Sequence, residues 1–419
     1  MKTEKVMGSR HEKEGLATEV ASLLINNIRD YAMYVALAVI FLIFTIVTKG
    51  LFLSSRNLIN LVNQTGYVAV LAIGMTLILI IKHIDLSIGF VAGFLGAVAA
   101  IMLMNGWNVW LVIPTVLICG ILVGVYQGFL VTKIKVPAFV TTLAGMFMFR
   151  GLLSWVTAGT GTIIVRDRTF LQLSNGYVPD IPWHLWKPVA ELFATQTERA
   201  PFHLLTMIVG VILVVVMIYS QIKHRQSLKR YDFKTTSLTI FVIKQVALSV
   251  LIMVISWIMA SYRGIPWTAV IVTVVLLIYN FMLNKTRFGR HIYAIGGNAE
   301  AAELSGIKVN RVTFLVFSSM GLMAALAGML YTSRLASATP TAGLGFELDA
   351  IASSYIGGVS VGGGVGRVTN TIIGALVIMS LTNGMNLLGV DISFQYVVKG
   401  AIFILAVAFD VTTRNKAKV

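Results

Sequence analysis

The sequence predicts an all-α, polytopic integral membrane protein. It has about 10–12 transmembrane helices, discontinuous or re-entrant segments among them, and both termini in the cytosol. Three observations carry this. Of the 419 residues, 57% are hydrophobic and only 12% charged, roughly half the charge of a soluble domain. The mean hydropathy is +0.85, too apolar to bury in a water-soluble globule. Apolar runs long enough to cross a bilayer as helices recur along the chain, and helices satisfy their own backbone groups in lipid.

The candidate spans, in order, lie near 31–48, 58–82, 88–104, 109–132, 137–157, 202–221, 238–261, 266–283, 313–333, 346–362, 367–388 and 392–411. The run at 346–362 is the weakest, being rich in Gly and Ser with two acids, and also fits a re-entrant segment. Residues 1–30 read as a cytosolic tail, with a short surface helix at 16–28. No apolar segment precedes residue 31, so this is not a secretory signal. Residues 31–411 form one transmembrane domain, and 412–419 a second cytosolic tail. Two loops stand out: 158–201, long and external, and 284–312, internal and hydrophilic.

Charge supports the count. Lys plus Arg is 33 against 17 acids, a formal +16. With the N-terminus inside and twelve spans, 22 basic residues fall in inner segments. Eight are outer: Lys49, Arg56, Arg166, Arg168, Lys187, Arg199, Arg263 and Arg334. That asymmetry follows the positive-inside rule and needs no nucleic-acid partner. Omitting the run at 346–362 would place the basic C-terminal tail outside. Arg150, within a span, is expected to pair with an acid or to snorkel.

Little in the chain suggests chemistry on substrate. GGGVGRVT at 362–369 has Arg where a phosphate-binding loop needs Lys, and lacks its glycine spacing. The six histidines are scattered and Cys119 is alone, so no metal site, cofactor or catalytic residue is expected. Acids near spans are few: Asp85, Glu347, Asp349 and Asp391. An ion- or proton-coupled secondary sugar transporter, the alternative reading, would carry an intramembrane relay of such groups. A membrane-embedded enzyme or lipid-handling scaffold is the third class, and has no visible acid/base pair.

The internal loop reads NKTRFGRHIYAIGGNAEAAELSGIKVNR. Asn298 is placed to cap a short helix starting at Ala299, with Glu300 and Glu303 near its positive end. Gly306 is placed to terminate it. Ala301 and Ala302 would offer a small docking face, flanked by Arg287, Arg290 and Lys308. E-A-A-x-x-x-G at 300–306 resembles the cytosolic coupling loop of permease subunits in bacterial ABC importers. The longer stretch RFGRHIYAIGGNAEAAELSGI resembles the monosaccharide branch of that family. HIDLSIG at 83–89, KVPAFVTTLAGMFMFRG at 135–151, GFELDAIASSYIGGVSVGGGVG at 345–366 and FQYVVKGAIFILAVAFD at 394–410 agree with it. The segment 175–262 looks like an insertion with an extra helix pair, most similar to multiple-monosaccharide or xylose permeases.

The resemblance implies a monosaccharide permease (for xylose, arabinose, glucose or galactose) in the bacterial cytoplasmic membrane, without an ATPase site of its own. It implies a homodimer, two ATP-binding subunits and an extracytoplasmic sugar-binding protein as partners. The coupling residues so assigned are Arg287, Gly289, Arg290, Gly297, Asn298, Glu300, Ala301, Ala302 and Gly306. A path for a neutral sugar needs amides, hydroxyls and exposed backbone, which broken helices supply. Asn60, Asn63 and Gln64 stand at helical spacing, followed by Asp85, Glu347, Asp349, Asn383, Asn386 and Gln395. Asn63 and Gln64 also suit interhelical bonding, and Asp85, Glu347 and Asp349 suit helix capping. IDLSIGFVAGFLGAVAA and VGGGVGRVTNTIIGALV read as two related broken segments.

Overall fold

A computed structural model of the chain describes residues 28–181, 202–231, 233 and 237–416. The surface helix expected at 16–28 falls almost wholly outside them, as do residues 182–201 of the external loop and 417–419 of the C-terminal tail.

The described residues form α1 (Ile28–Val47), α2 (Ser55–Ile80), α3 (Ile88–Met104), α4 (Val109–Thr132) and α5 (Ala138–Thr157). After β1 (Ile163–Ile164) come α6 (Arg168–Asn175), α7 (Leu204–Arg230), α8 (Leu238–Ala260) and α9 (Trp267–Lys285). Next are α10 (Arg287–Gly297), α11 (Ala299–Leu304) and α12 (Val309–Leu335), then β2 (Ser337–Ala338), α13 (Phe346–Ile356), α14 (Val368–Leu387) and α15 (Ile392–Lys416). Eight helices are long and apolar enough to cross a membrane, with three shorter apolar ones at 32–47, 88–104 and 392–408. The all-α membrane architecture is therefore as the sequence predicts.

Two compact units are distinguished: 33–178 with 265–419, and 179–264 with the N-terminal residues. In the smaller unit α7 and α8 form an antiparallel hairpin, the start of α7 bonding the end of α8 through His203 N–H to Ala260 C=O at 3.0 Å. The Asp180 carboxylate accepts from Leu204 and Leu205 N–H at 3.0 and 2.8 Å and so caps α7. Both helices fall within residues 175–262.

The larger unit is organised around α2 and α12. The apolar window of α2 is 94% buried, against 28% for α4 and α5; α2 is the core, and α4 and α5 leave most of their apolar surface exposed. Small residues set the close approaches. Gly120, Gly124 and Gly128, four apart on one face of α4, lie on the α12 backbone at Gly321, Phe317–Ser318 and Phe314. Gly328 of α12 lies against Ala92 and Gly96 of α3. Glycines at this spacing let helix backbones meet where lipid offers no hydrophobic drive.

The weak twelfth span is corrected. Residues 346–362 are not one helix: α13 covers only Phe346–Ile356, 11 residues, or about 16 Å of rise, and 357–367 form turns. Phe346 meets Tyr67, midway along α2, with ring centroids 4.7 Å apart. At the other end Ser354 approaches Thr76, and Gly364 N–H bonds Ile80 C=O at 2.9 Å near the end of α2. The charge count assigns that end to the cytosol. The crossing is thus an irregular stretch, 336–345, entered beside the β1–β2 pair (Ile163 opposite Ala338), followed by a half-length helix. Among the described residues, 346–362 therefore supplies a half-length helix and turns in place of a continuous span.

The second break is 81–87, ahead of α3. The starts of α3 and α13 abut: a Cβ on Gly89 would collide with the Gly343 carbonyl and the Glu347 carboxylate. The segment that abuts the start of α3 is thus the one around Gly343–Glu347. Residues 368–387 form an unbroken helix, α14. Of the two expectations for Arg150, the ion pair is not found among the described residues; the side chain is exposed and its guanidinium lies 5.7 Å from the centre of the Phe90 ring.

Candidate functional site

The 284–312 loop folds as a helical hairpin. Thr286 Oγ1 accepts from Gly289 N–H at 3.2 Å and starts α10. Phe288, Ile292 and Ile295 turn one face of α10 inward, while Arg287 and Arg290 stay exposed. Gly289 is buried because a side chain there would strike Leu283 backbone. Asn298 Oδ1 accepts from Ala301 N–H at 3.1 Å and caps α11, as the sequence predicts. Gly306 ends α11 with φ +83°, a conformation that glycine adopts without penalty. Replacing Asn298 by Ala should loosen α11 by about 1 kcal/mol. Faster amide exchange confined to 299–305 would show it, and unchanged exchange there would refute the cap.

The small docking face is corrected: Ala302 is buried and only Ala301 is exposed, beside Glu300. Leu304, which sequence reasoning passed over as a variable position of the motif, is 90% exposed. Gly297 is exposed and its carbonyl accepts from Lys82 Nζ at 3.2 Å. Tyr293 Oη donates to Gly366 C=O at 2.7 Å. Gly296 sits so close to Ile80 and Gly364 that a Cβ would collide with both backbones. The hairpin is thus fixed to the end of α2 and to the turn before α14, while α11 projects an exposed leucine among charges.

The predicted path residues fall into separate groups. Asn383 on α14 joins two α2 amides, accepting from Asn57 Nδ2 at 2.8 Å and donating to Gln64 Oε1 at 3.2 Å. Gln395 Nε2 of α15 donates to Asn386 Oδ1 at 2.8 Å. Asn60 is exposed and accepts from Arg334 at 3.0 Å. Asn63 is buried with its Oδ1 unpartnered. Asp349 pairs with Lys399 of α15 at 2.9 Å, beside a cavity of about 150 Å³ lined also by Tyr396 and Phe403.

Glu347 and Asp349 lie inside the first turn of α13, after its N-cap Gly345, so the capping role expected of them is not made from a capping position. Glu347 Oε2 is buried without a partner. Asp85 is set apart from these groups. Its Oδ1 accepts from Ser87 N–H at 2.9 Å and Ser87 Oγ at 2.6 Å, and Gln127 of α4 donates to Ser87 Oγ at 2.6 Å. This closes the turn before α3 and ties it to α4. Asp391, in the turn after α14, accepts from Ser393 N–H at 2.8 Å, which holds its carboxyl below the usual range.

The described residues thus combine a core of close-packed helices, two breaks that meet inside it and an exposed helical hairpin at one end. The chain belongs to the family described as "Branched-chain amino acid transport system / permease component", which matches residues 57–176 and 189–407. It is 38% identical to the xylose transport system permease protein of Escherichia coli K12 over 392 residues, 93% of this chain and 94% of that protein. The Haemophilus influenzae xylose permease is 37% identical, covering 93% of this chain and 98% of its own. The ribose import permease protein of Escherichia coli K12 is 32% identical, covering 98% and 99%. No solved structure matches the chain.

Proposed function

We propose that the chain is the permease subunit of an ATP-driven importer that carries a pentose, xylose foremost, across the bacterial cytoplasmic membrane. The observation that carries the reading is the exposed α11, on which the E-A-A-x-x-x-G pattern falls. A leucine 90% exposed between Glu303 and Ser305 suits a partner pocket that shields it, with Arg287, Arg290 and Glu300 fixing register. The partners are a second copy of the chain, two ATP-binding subunits docked at 287–306, and an external sugar-binding protein. The similarity to xylose permeases along most of the chain favours a sugar over the amino acids of the family description. Amide groups outnumber fixed charges in the core, which suits a neutral solute.

Leu304→Asp and Glu300→Lys test it. Both are expected to lower ATP-dependent xylose uptake in cells by about 100-fold and to lose the copurifying ATP-binding subunit. That corresponds to about 2.7 kcal/mol at a buried anchor. Both variants should reach the membrane in normal amount, since these side chains are exposed. Uptake at the level of the unmodified protein, with an intact complex, would remove α11 from the coupling role. Collapse of uptake by an uncoupler with ATP maintained would favour a secondary transporter instead.

A further inference from the structure

The three aromatic rings at the start of α13 and the arginine above them have no part in the groups so far assigned. Tyr67 of α2, Tyr331 of α12 and Phe346 of α13 pack as a triangle, with centroid separations of 5.1, 4.7 and 4.8 Å. Tyr67 and Phe346 are buried and Tyr331 half-buried. One helical turn beyond Tyr331 stands Arg334, and two turns before Tyr67 stands Asn60, bonded to each other at 3.0 Å. Asn60 is exposed and Arg334 half-buried, so exposure falls from this pair to the buried rings of Tyr67 and Phe346. By the charge count this is the outer end.

Arginine is costly in a membrane helix and is normally found facing a polar cavity or a counter-charge. Arg334 has neither an ion pair nor a carboxylate within salt-bridge distance among the described residues. One donor of its five is engaged on Asn60. Among the described residues the remaining planar donors of Arg334 and the side-chain N–H groups of Asn60 make no other hydrogen bond, a set that matches the hydroxyls of a neutral ring. The negative faces of aromatic rings accept the other feature of a pyranose, its C–H face. The triangle sits where the irregular stretch 336–345 gives way to α13, beside Gly345 at φ +79°, so the floor rests on a break that can shift without unwinding a helix.

We propose that Asn60 and Arg334 read the hydroxyls of an incoming pyranose at the outer entrance. Tyr67, Tyr331 and Phe346 form the closed floor on which its ring stacks as the path opens. The inference rests on the sugar-importer reading and adds a selectivity element within the permease itself.

The test uses the assembled importer in proteoliposomes, with uptake of xylose, 3-deoxyxylose and leucine followed beside ATP hydrolysis. The binding protein is the same throughout, so a change in the ratio between the two sugars comes from the permease. Arg334→Gln is expected to lower xylose uptake at least tenfold and 3-deoxyxylose uptake less, narrowing their ratio, while hydrolysis falls less than uptake. Tyr331→Leu should lower uptake about fivefold or more, and Tyr331→Phe, which keeps the ring, clearly less. An unchanged sugar ratio in Arg334→Gln, or equal losses in the two Tyr331 variants, overturns the proposal and leaves the importer reading standing. Unmodified protein that carries leucine and neither sugar overturns the importer reading itself.

Discussion

Replacing Gly124 by leucine is expected to abolish accumulation of the folded permease. A Cβ at Gly124 would fall against the Phe317 carbonyl, and 2.8 and 3.0 Å from Ser318 Cα and O. These are backbone atoms of α12, so no rotamer change relieves the clash and the helices must separate. Separation is felt beyond one residue, because Gly120 and Gly128 sit on the same seam. Overpacking at a single core site costs about 1–3 kcal/mol and sometimes more. Parting a seam of three glycines in the densest interface places this variant at about 3 kcal/mol or above. Membrane yield and the thermal midpoint in detergent measure it, with Gly151→Leu as control, since nothing lies within 4 Å of that position. A Gly124→Leu protein as abundant and as stable as the control would mean that the α4–α12 contact is not what holds the core.

The second large effect is expected at Lys399. Its ammonium contacts both Asp349 oxygens, at 2.9 and 3.1 Å, and Asp349 is only 8% exposed. Lys399→Met leaves a buried carboxylate without a counter-charge, which costs about 3–5 kcal/mol. Removing the orphaned charge as well, with Asp349→Asn in the same chain, should recover at least half of the lost stability. Thermal unfolding of the two single variants and the double variant gives the coupling directly. Additive losses would show that the two groups act independently, and the pairing of α13 with α15 would then need another cause.

What could be read from the sequence follows from the range over which each interaction acts. Asn298 and Gly306 were legible because a cap and a left-handed terminator are set by neighbours within one helical turn. The all-α membrane class was legible because apolar runs of about 20 residues recur along the chain. Helix α10 was not, since its inward face is defined by Ile80 and Gly364, which lie far away along the chain. The break after Ile356 was hidden for a related reason: the Gly-rich apolar residues 357–362 have the hydropathy of a span whether or not they are helical. The Asp349–Lys399 pair and the Arg334–Asn60 pair join residues 50 and 274 apart, and no local pattern announces either. Of the predicted path residues, Gln64 and Asn383 proved to bond each other, as interhelical glue would. Asp85 closes a turn. Leu304 was missed because a motif describes the positions it specifies and says nothing of the ones between.

The attachment of the cytosolic hairpin to α2 has a mechanical consequence. Lys82, Ile80 and Gly296 join the hairpin to one tip of a 26-residue helix, a strut of about 39 Å. Asn57 and Asn60 ride near the opposite tip. Tilting such a strut by about 5° about its lower end would carry the far tip sideways by about 3.4 Å, slightly more than the donor–acceptor distance of a hydrogen bond. A nudge delivered to the hairpin at one membrane face thus has the leverage to part side chains at the other, with no relay of intervening contacts.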